Sequence, residues 1–227
     1  MKNQYRFFSD TEELNPELKH QIYNVLRLKA ENEISLVIKE KEYLCKLTQT
    51  GYEIIKEITY DREAKIDLTL GLAAIKKDKI EYVLQKCTEC GVNDFIIFNG
   101  NNSVKNLDEF SFNKILPRYK KIIKEACEQS LRLKEPGIEF KSLNNINFSD
   151  FDKIIITDAE GIKLSDALQE FKGNKILLLV GPEGGFSKKE FNFIINNNGT
   201  TVSFGPRILR SETASIVISA SLIDYFE

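Results

Sequence analysis

The pattern of apolar and polar positions changes character near residue 60. Before it, short apolar runs stand apart. "QYRFF", "EISLVI", "KEYLCKLTQT" and "GYEIIKEITY" have the length and the β-branched or aromatic content of strands, with charged or glycine-containing turns between them. "NPELKHQIYNVLRLK" instead spaces Leu18, Ile22, Val25 and Leu26 as one face of a helix. Three consecutive strands without a helix predict a meander or a small barrel, and "DREAK" at 61–65 is polar enough for a linker. From residue 66 the rhythm becomes strand, helix, strand, helix. "IDLTLGLAAI", "DFIIF", "DKIIIT", "KILLLV" and "TVSF" read as strands. "DKIEYVLQKCTEC", residues 113–133, "KLSDALQEF", "SKKEFNFIINNN" and "SETASIVISASLIDYF" read as helices. Such alternation predicts an α/β domain with a mainly parallel sheet covered on both faces. The run "ILLLV" suits a central strand buried on both sides. The expected domains are 1–65 and 66–227.

One strand-to-helix crossover stands out, "KILLLVGPEGGFSKKEF". Ser187 and Glu190 form a capping box, and Phe186 and Phe191 flank it at hydrophobic-staple positions, so the helix is expected to start at Ser187. Gly181, Gly184 and Gly185 then lie at the carboxyl end of a parallel strand, where ligands bind in open α/β sheets. They allow close approach of a ligand, or they make a tight turn and nothing more. The spacing excludes two familiar ligands. No Lys-Ser/Thr follows in the register of a P-loop, and G-x-G-x-x-G is absent.

Composition narrows the choice. With 227 residues, 42% of them hydrophobic, the chain can bury a real core. It has no run of ~18 apolar residues that would span a membrane, and the start "MKNQYRFFSDTEEL" lacks the apolar core of a secretory signal. Four cysteines are too few for a disulfide scaffold and suit a reducing cytoplasm. A single histidine, His20, argues against histidine triads and multi-histidine metal sites, and no metal is expected. The C-x-x-C of Cys87 and Cys90 falls on the packed face of a helix and has no second pair, so it reads as core. The net charge of -2 gives no global sign of nucleic acid. Locally, Ser111–Lys134 carries seven Lys/Arg against two Glu, either a solvated helix face or a phosphate-facing patch.

A second crossover, "FGPRILRSETASIVISASL", repeats the plan with Gly205, Pro206, Arg207 and Arg210 before a helix rich in Ala and Ser. The two loops together resemble the paired signature of the SPOUT-class RNA methyltransferases, and more narrowly the bacterial 16S rRNA uridine-N3 methyltransferase family. "KKDKIEYVLQKCTECGV", "KEACEQSLRLKEPGI" and "HQIYNVLRL" extend the resemblance over nearly the whole chain. The turn "KAENE" departs from the Gly-Asp usual after "VLR".

The resemblance implies a small N-terminal PUA-like β-barrel that helps dock rRNA, and a C-terminal domain closed by a deep trefoil knot. It implies S-adenosylmethionine (S-adenosyl-L-methionine) as methyl donor, held near Thr157, Leu179, Gly181, Gly184, Gly185, Gly205, Ile208, Leu209 and Arg210. It also implies a homodimer through the knotted domain and a cytoplasmic enzyme acting on 16S rRNA within the 30S subunit, near the decoding centre. Arg6, Arg27, Lys86 and Arg132 are the implied RNA contacts. For the chemistry, Glu183 or Glu212 can accept the uracil N3 proton, and Arg207 or Arg210 can stabilise charge on its carbonyl oxygens. The same residues admit plainer roles. Glu183 can accept backbone N–H groups in its loop, Glu212 can favour its helix N-terminus, and the arginines can bind phosphate or carboxylate. The rival readings are a SPOUT enzyme for another RNA nucleotide, a non-catalytic rRNA-binding assembly factor, and an ordinary nucleotide-binding α/β enzyme.

Overall fold

The computed structural model describes residues 5–9, 11, 13–60, 62–104, 106–169 and 171–227. Gln4 of the expected first strand and Asp61 of the expected linker lie outside them. The chain forms two compact units. One comprises the described residues up to Glu63 together with Cys127–Lys134; the other comprises Ala64–Ala126 and Glu135–Glu227.

The smaller unit contains β1 (Tyr5–Ser9), α1 (Pro16–Lys19), β2 (Glu33–Ile38), β3 (Lys41–Leu47) and β4 (Tyr52–Ile58). β2, β3 and β4 form the expected antiparallel meander, and β1 joins it in parallel with β2. The order β1-β2-β3-β4 is that of an open sheet, so the described strands do not close into the barrel that the resemblance implied. α1 starts as its sequence dictates. The Asn15 side chain accepts from Leu18 N at 2.8 Å, and Pro16 occupies the first turn. The helix then widens into a π-helical turn over His20–Val25, where Leu26 N donates to Gln21 O. The wider turn shifts the phase of the apolar face. Leu18 and Ile22 stay buried, while Val25, expected beside them, is 62% exposed.

Two of the expected RNA contacts are internal to this unit. Arg6 is buried: Nη1 and Nη2 donate to the carbonyls of Cys127 and Arg132 at 3.1 and 2.5 Å, and Nε lies 3.3 Å from Glu42 Oε1. Arg132 is also buried, and its Nε and Nη2 donate to Glu63 Oε2 at 3.1 and 2.8 Å. Glu63 Oε1 accepts from Leu133 N and Lys134 N. Buried guanidinium groups with this many internal partners hold Cys127–Lys134 in the unit and are not presented to RNA. The sequence reading missed this because a lone arginine carries no mark of burial.

The larger unit runs β5 (Asp67–Ala73), α2 (Lys77–Cys90), β6 (Asp94–Phe98), α3 (Glu109–Ser130, whose residues from Cys127 on belong to the smaller unit), β7 (Gly137–Phe140), β8 (Lys153–Lys163), α4 (Leu164–Leu168), β9 (Lys175–Val180), α5 (Lys188–Asn196), β10 (Gly199–Ser203) and α6 (Ser211–Phe226). Its six strands lie in the order β10-β8-β9-β5-β6-β7, every pair parallel. β9, the apolar run, is central, with Leu177, Leu178 and Leu179 fully buried. The sequence reading did not contain β7, a short edge strand whose residues are only partly covered. It also placed the end of α3 three residues late; Leu131 adopts φ 65° and ends the helix. α6 packs against α2, β5 and β9. Its seam with α2 includes Cys87, which is fully buried, and burial pushes that thiol far above its usual range. Cys45 is likewise raised, to about 11. In the native protein, alkylation with iodoacetamide is therefore expected at half-exposed Cys90, with buried Cys45, Cys87 and Cys127 labelled only after denaturation. Rapid native labelling of Cys87, read by peptide mass spectrometry, contradicts this.

β8 is longer than "DKIIIT" suggested, because it leaves the ladder and returns. Ile156 pairs with Thr201 of β10, but the next pair is Ile162 with Val202, so Thr157–Gly161 loop out of register. Gly161 marks the return. A Cβ there would sit 2.5 Å from Val202 C and 2.6 Å from Val202 N, and the carbonyl of Gly161 accepts from Ser203 Oγ at 2.8 Å. Gly161→Ala is expected to cost about 1–3 kcal/mol, because backbone must move to admit the methyl. An unchanged urea midpoint would show that the strands separate more easily than this contact implies.

Candidate active site

β10, β8 and β9 are neighbours, so the loops after Ile156, Val180 and Ser203 leave one edge of the sheet side by side. The Thr157–Gly161 excursion and the loop before α6 enclose a cleft of about 100 Å³. Thr157, Asp158 and Ser203 give it a polar rim. Ala214 and Ile218 give it an apolar floor, and Arg207, Ile208 and Leu209 close one side. Ile208 is 89% exposed, so little packing holds this side in place.

The glycine loop is built as the capping pattern required. Ser187 Oγ accepts from Glu190 N at 3.3 Å, and Glu190 Oε2 accepts from Ser187 N at 2.8 Å. Phe186 stacks on Phe98 with ring centroids 6.3 Å apart. Gly185 adopts φ 69°, which favours glycine. A Cβ on Gly184 would meet Asn102 at 3.0 Å. The Asn102 amide nitrogen donates to the carbonyls of Gly184 and Gly185 at 3.2 and 3.1 Å, fixing the two peptide planes. Asn101 adds its backbone N–H to Glu190 Oε1 at 2.8 Å and its side chain to Ser187 Oγ at 2.9 Å. Neither asparagine was singled out from sequence, since "NGNN" reads as a turn and nothing more.

The two signature loops are joined twice. Ser211 Oγ donates to Gly181 O at 2.7 Å. Lys79, in the first turn of α2, lies 3.5 Å from Glu183 Oε1 and 3.2 Å from Glu212 Oε1. The two candidate carboxylates thus share one ammonium group. Glu212 Oε2 is buried without a hydrogen-bond partner among the described residues, an acceptor that is costly to leave unmade. Lys79 stands in one of the quoted stretches but was not named from sequence, because a lysine on a charged helix shows no partner until the fold brings one.

The other expected residues are placed less evenly. Thr157, Arg207, Ile208 and Leu209 line the cleft. Leu179 does not: it pairs with Gly71 and Ile156 inside the ladder, and its side chain is in the core. Gly205 has φ 81° in the loop before α6, and Arg210 is exposed at the N-cap of that helix. Arg207 and Arg210 have no ion pair among the described residues. Arg27 is exposed with φ 54°, and Lys86 pairs with Glu89 at 2.8 Å. Among the described residues no group of three His, Cys, Asp or Glu is placed to hold a metal, and no helix is long and apolar enough to cross a membrane.

This edge, two loops bridged by Lys79 and Ser211 beside a half-apolar cleft, is borne by a segment that matches a known family. Residues 62–223 match the model of the RNA methyltransferase domain. The chain belongs to the RNA methyltransferase family. The methyltransferase is 33% identical over 224 residues to the ribosomal RNA small subunit methyltransferase E of Bacillus subtilis, covering 91% of this chain and 86% of that one. It is 31% identical to the protein of the same name from Buchnera aphidicola (subsp. Acyrthosiphon pisum), over 99% of this chain and 89% of the other. The crystal structure of a ribosomal RNA small subunit methyltransferase E from Neisseria gonorrhoeae, bound to S-adenosyl methionine, superposes with a TM-score of 0.86. It is 26% identical, with 99% of this chain and 98% of that one covered. The methyltransferase family membership thus rests on both sequence and fold.

Proposed function

We propose that this protein transfers a methyl group from S-adenosylmethionine to N3 of a uridine in 16S rRNA of the small ribosomal subunit, in the cytoplasm. The observation that carries the reading is the meeting of Gly181–Gly185 with Arg207–Glu212 at one sheet edge through Ser211 and Lys79. The relatives named as small-subunit rRNA methyltransferases, and the S-adenosyl methionine bound to one of them, support substrate and donor.

The residues fit an adenosyl group in kind. An apolar floor suits a flat heteroaromatic ring, and the rim of Thr157, Asp158 and Ser203 suits hydroxyls. The cleft is open to solvent, and the largely exposed Phe204–Arg210 loop forms one of its sides. When bound, the donor supplies an electrophilic sulfonium methyl. The chain's own tasks are to align the nucleobase and to remove its proton. Glu212 is the better placed acceptor, because its Oε2 is buried and unbonded, and the N3–H of a seated uracil satisfies it. Glu183 shares Lys79 with it and is the alternative acceptor. Arg207 and Arg210, exposed and without an ion pair among the described residues, are the groups that would stabilise charge on uracil oxygens or bind neighbouring phosphates. β9 inserted between β5 and β8, with α6 packed on α2, supports a knotted crossover of the chain end, and the dimer that the resemblance implies would form through that region. In the smaller unit, exposed Arg27 takes part in docking.

Purified 30S subunits lacking the modification, and naked 16S rRNA, are the substrates that test this. The expected product is 3-methyluridine in the 30S sample by nucleoside mass spectrometry, with less in naked rRNA. A different methylated nucleoside would reassign the target. Donor binding by calorimetry without transfer to either substrate would remove the assignment, and rRNA binding without donor binding would make the protein an assembly factor.

A further inference from the structure

α3 presents an outer face unlike the rest of this acidic chain. Between Phe110 and Lys124 it contains no acidic residue and five cations: Lys114, Arg118, Lys120, Lys121 and Lys124. At 100° per residue the five fall within about half the helix circumference, along about 15 Å of its length. The opposite face is core, formed by Phe112, Tyr119 and Ile123. Arg118 is held by Glu81 of α2, with Nη2 2.6 Å from Oε2, and Lys121 is 4.0 Å from Glu125. Lys114, Lys120 and Lys124 have no ion pair among the described residues. Phe110, at the start of the stripe, is 80% exposed. The segment that leads into the stripe touches the candidate site, because the β6–α3 connection carries Asn102, which holds the carbonyls of Gly184 and Gly185.

We propose that this face is a track for the phosphates of the RNA that flanks the target base, with Phe110 as a platform for an unstacked base. The proposal rests on the methyltransferase reading above. Three lysines without an ion pair among the described residues, about 6 and 9 Å apart along the helix, match the requirement of a sequence-independent backbone contact, which is charge without a fixed hydrogen-bond pattern. Exposed aromatic rings beside such cations are how proteins hold single-stranded bases. A base presented at the glycine loop leaves its own strand nearby, and α3 is the basic element that begins there.

The test uses the whole protein and 30S subunits. Lys120→Glu with Lys124→Glu is compared with a charge-matched control, Lys153→Glu with Lys172→Glu, on another part of the larger unit. The α3 variant is expected to bind 30S more weakly by on the order of tenfold at moderate salt. Its log affinity should also fall less steeply with log salt, by between about one and two, as about 0.7–0.9 is lost per phosphate contact. Donor affinity by calorimetry and kcat at saturating 30S stay at wild-type values. Wild-type binding and salt slope in the α3 variant would overturn the proposal, as would an equal loss in the control, which would trace the effect to bulk charge. Loss of binding to phosphatidylserine vesicles with 30S affinity intact would reassign the face to a membrane surface. Binding is measured without turnover, so failure of wild-type methylation refutes the activity and leaves this result readable.

Discussion

Arg6→Met is expected to destabilise the protein by about 3–5 kcal/mol, the cost of leaving one partner of a buried ion pair alone. Methionine keeps most of the packed stem and removes the guanidinium. What remains is Glu42, itself buried, and the carbonyls of Cys127 and Arg132 without their donor. Natural domains are stable by only about 5–15 kcal/mol, so the loss is a large part of the total. Burial already lowers the pKa of Arg6, with Glu42 opposing it, which shows how much that group depends on its partner. Urea unfolding followed by circular dichroism gives the measurement. Adding Glu42→Gln to Arg6→Met should recover part of the loss, because the stranded charge disappears with its partner. A single variant within about 0.5 kcal/mol of wild type, the range of ordinary surface substitutions, would return Arg6 to the list of RNA contacts.

Lys79→Met is the second large effect, on turnover. It leaves Glu183 and Glu212 facing each other without their shared cation. A misplaced proton acceptor commonly costs about 10²-fold or more in rate. The expectation is a kcat on 30S lower by on the order of 10²-fold, with donor affinity by calorimetry little changed and partial rescue by Lys79→Arg. Paired with it, Glu212→Gln should fall further than Glu183→Gln, since the buried, unbonded oxygen belongs to Glu212. Full turnover in Lys79→Met would show that the bridge is incidental to the chemistry. Equal losses in the two glutamine variants would leave the acceptor shared between them.

Periodicity is a local property, and what it conveyed was local. The α/β rhythm after residue 66, the central position of β9 and the capping box at Ser187 were legible because each depends on residues within a turn or two of one another. The π-helical turn was not, because the spacing of Leu18, Ile22 and Val25 is compatible with either winding until the core selects one. β7 escaped because an edge strand is covered on too few sides to need an apolar run. In the site, the glycine and arginine loops announced themselves through residue types that backbone geometry and charge demand. Lys79, Asn102 and the burial of Arg6 and Arg132 are products of long-range packing, joining positions from 69 to 133 residues apart. No window along the chain contains both partners.

The excursion in β8 separates two things that a strand ordinarily ties together. Because Ile162 pairs with Val202 directly after Ile156 pairs with Thr201, the length of Thr157–Gly161 is not fixed by the ladder on either side of it.

 The stretch Thr157–Gly161 is therefore free to vary in length while Gly161 pins its return, and the sheet is indifferent to the change. Insertions and deletions, which most strands cannot absorb, are expected to be tolerated here at the rim of the cleft. A lineage can reshape the pocket by altering loop length alone, and the scaffold beneath it inherits no cost.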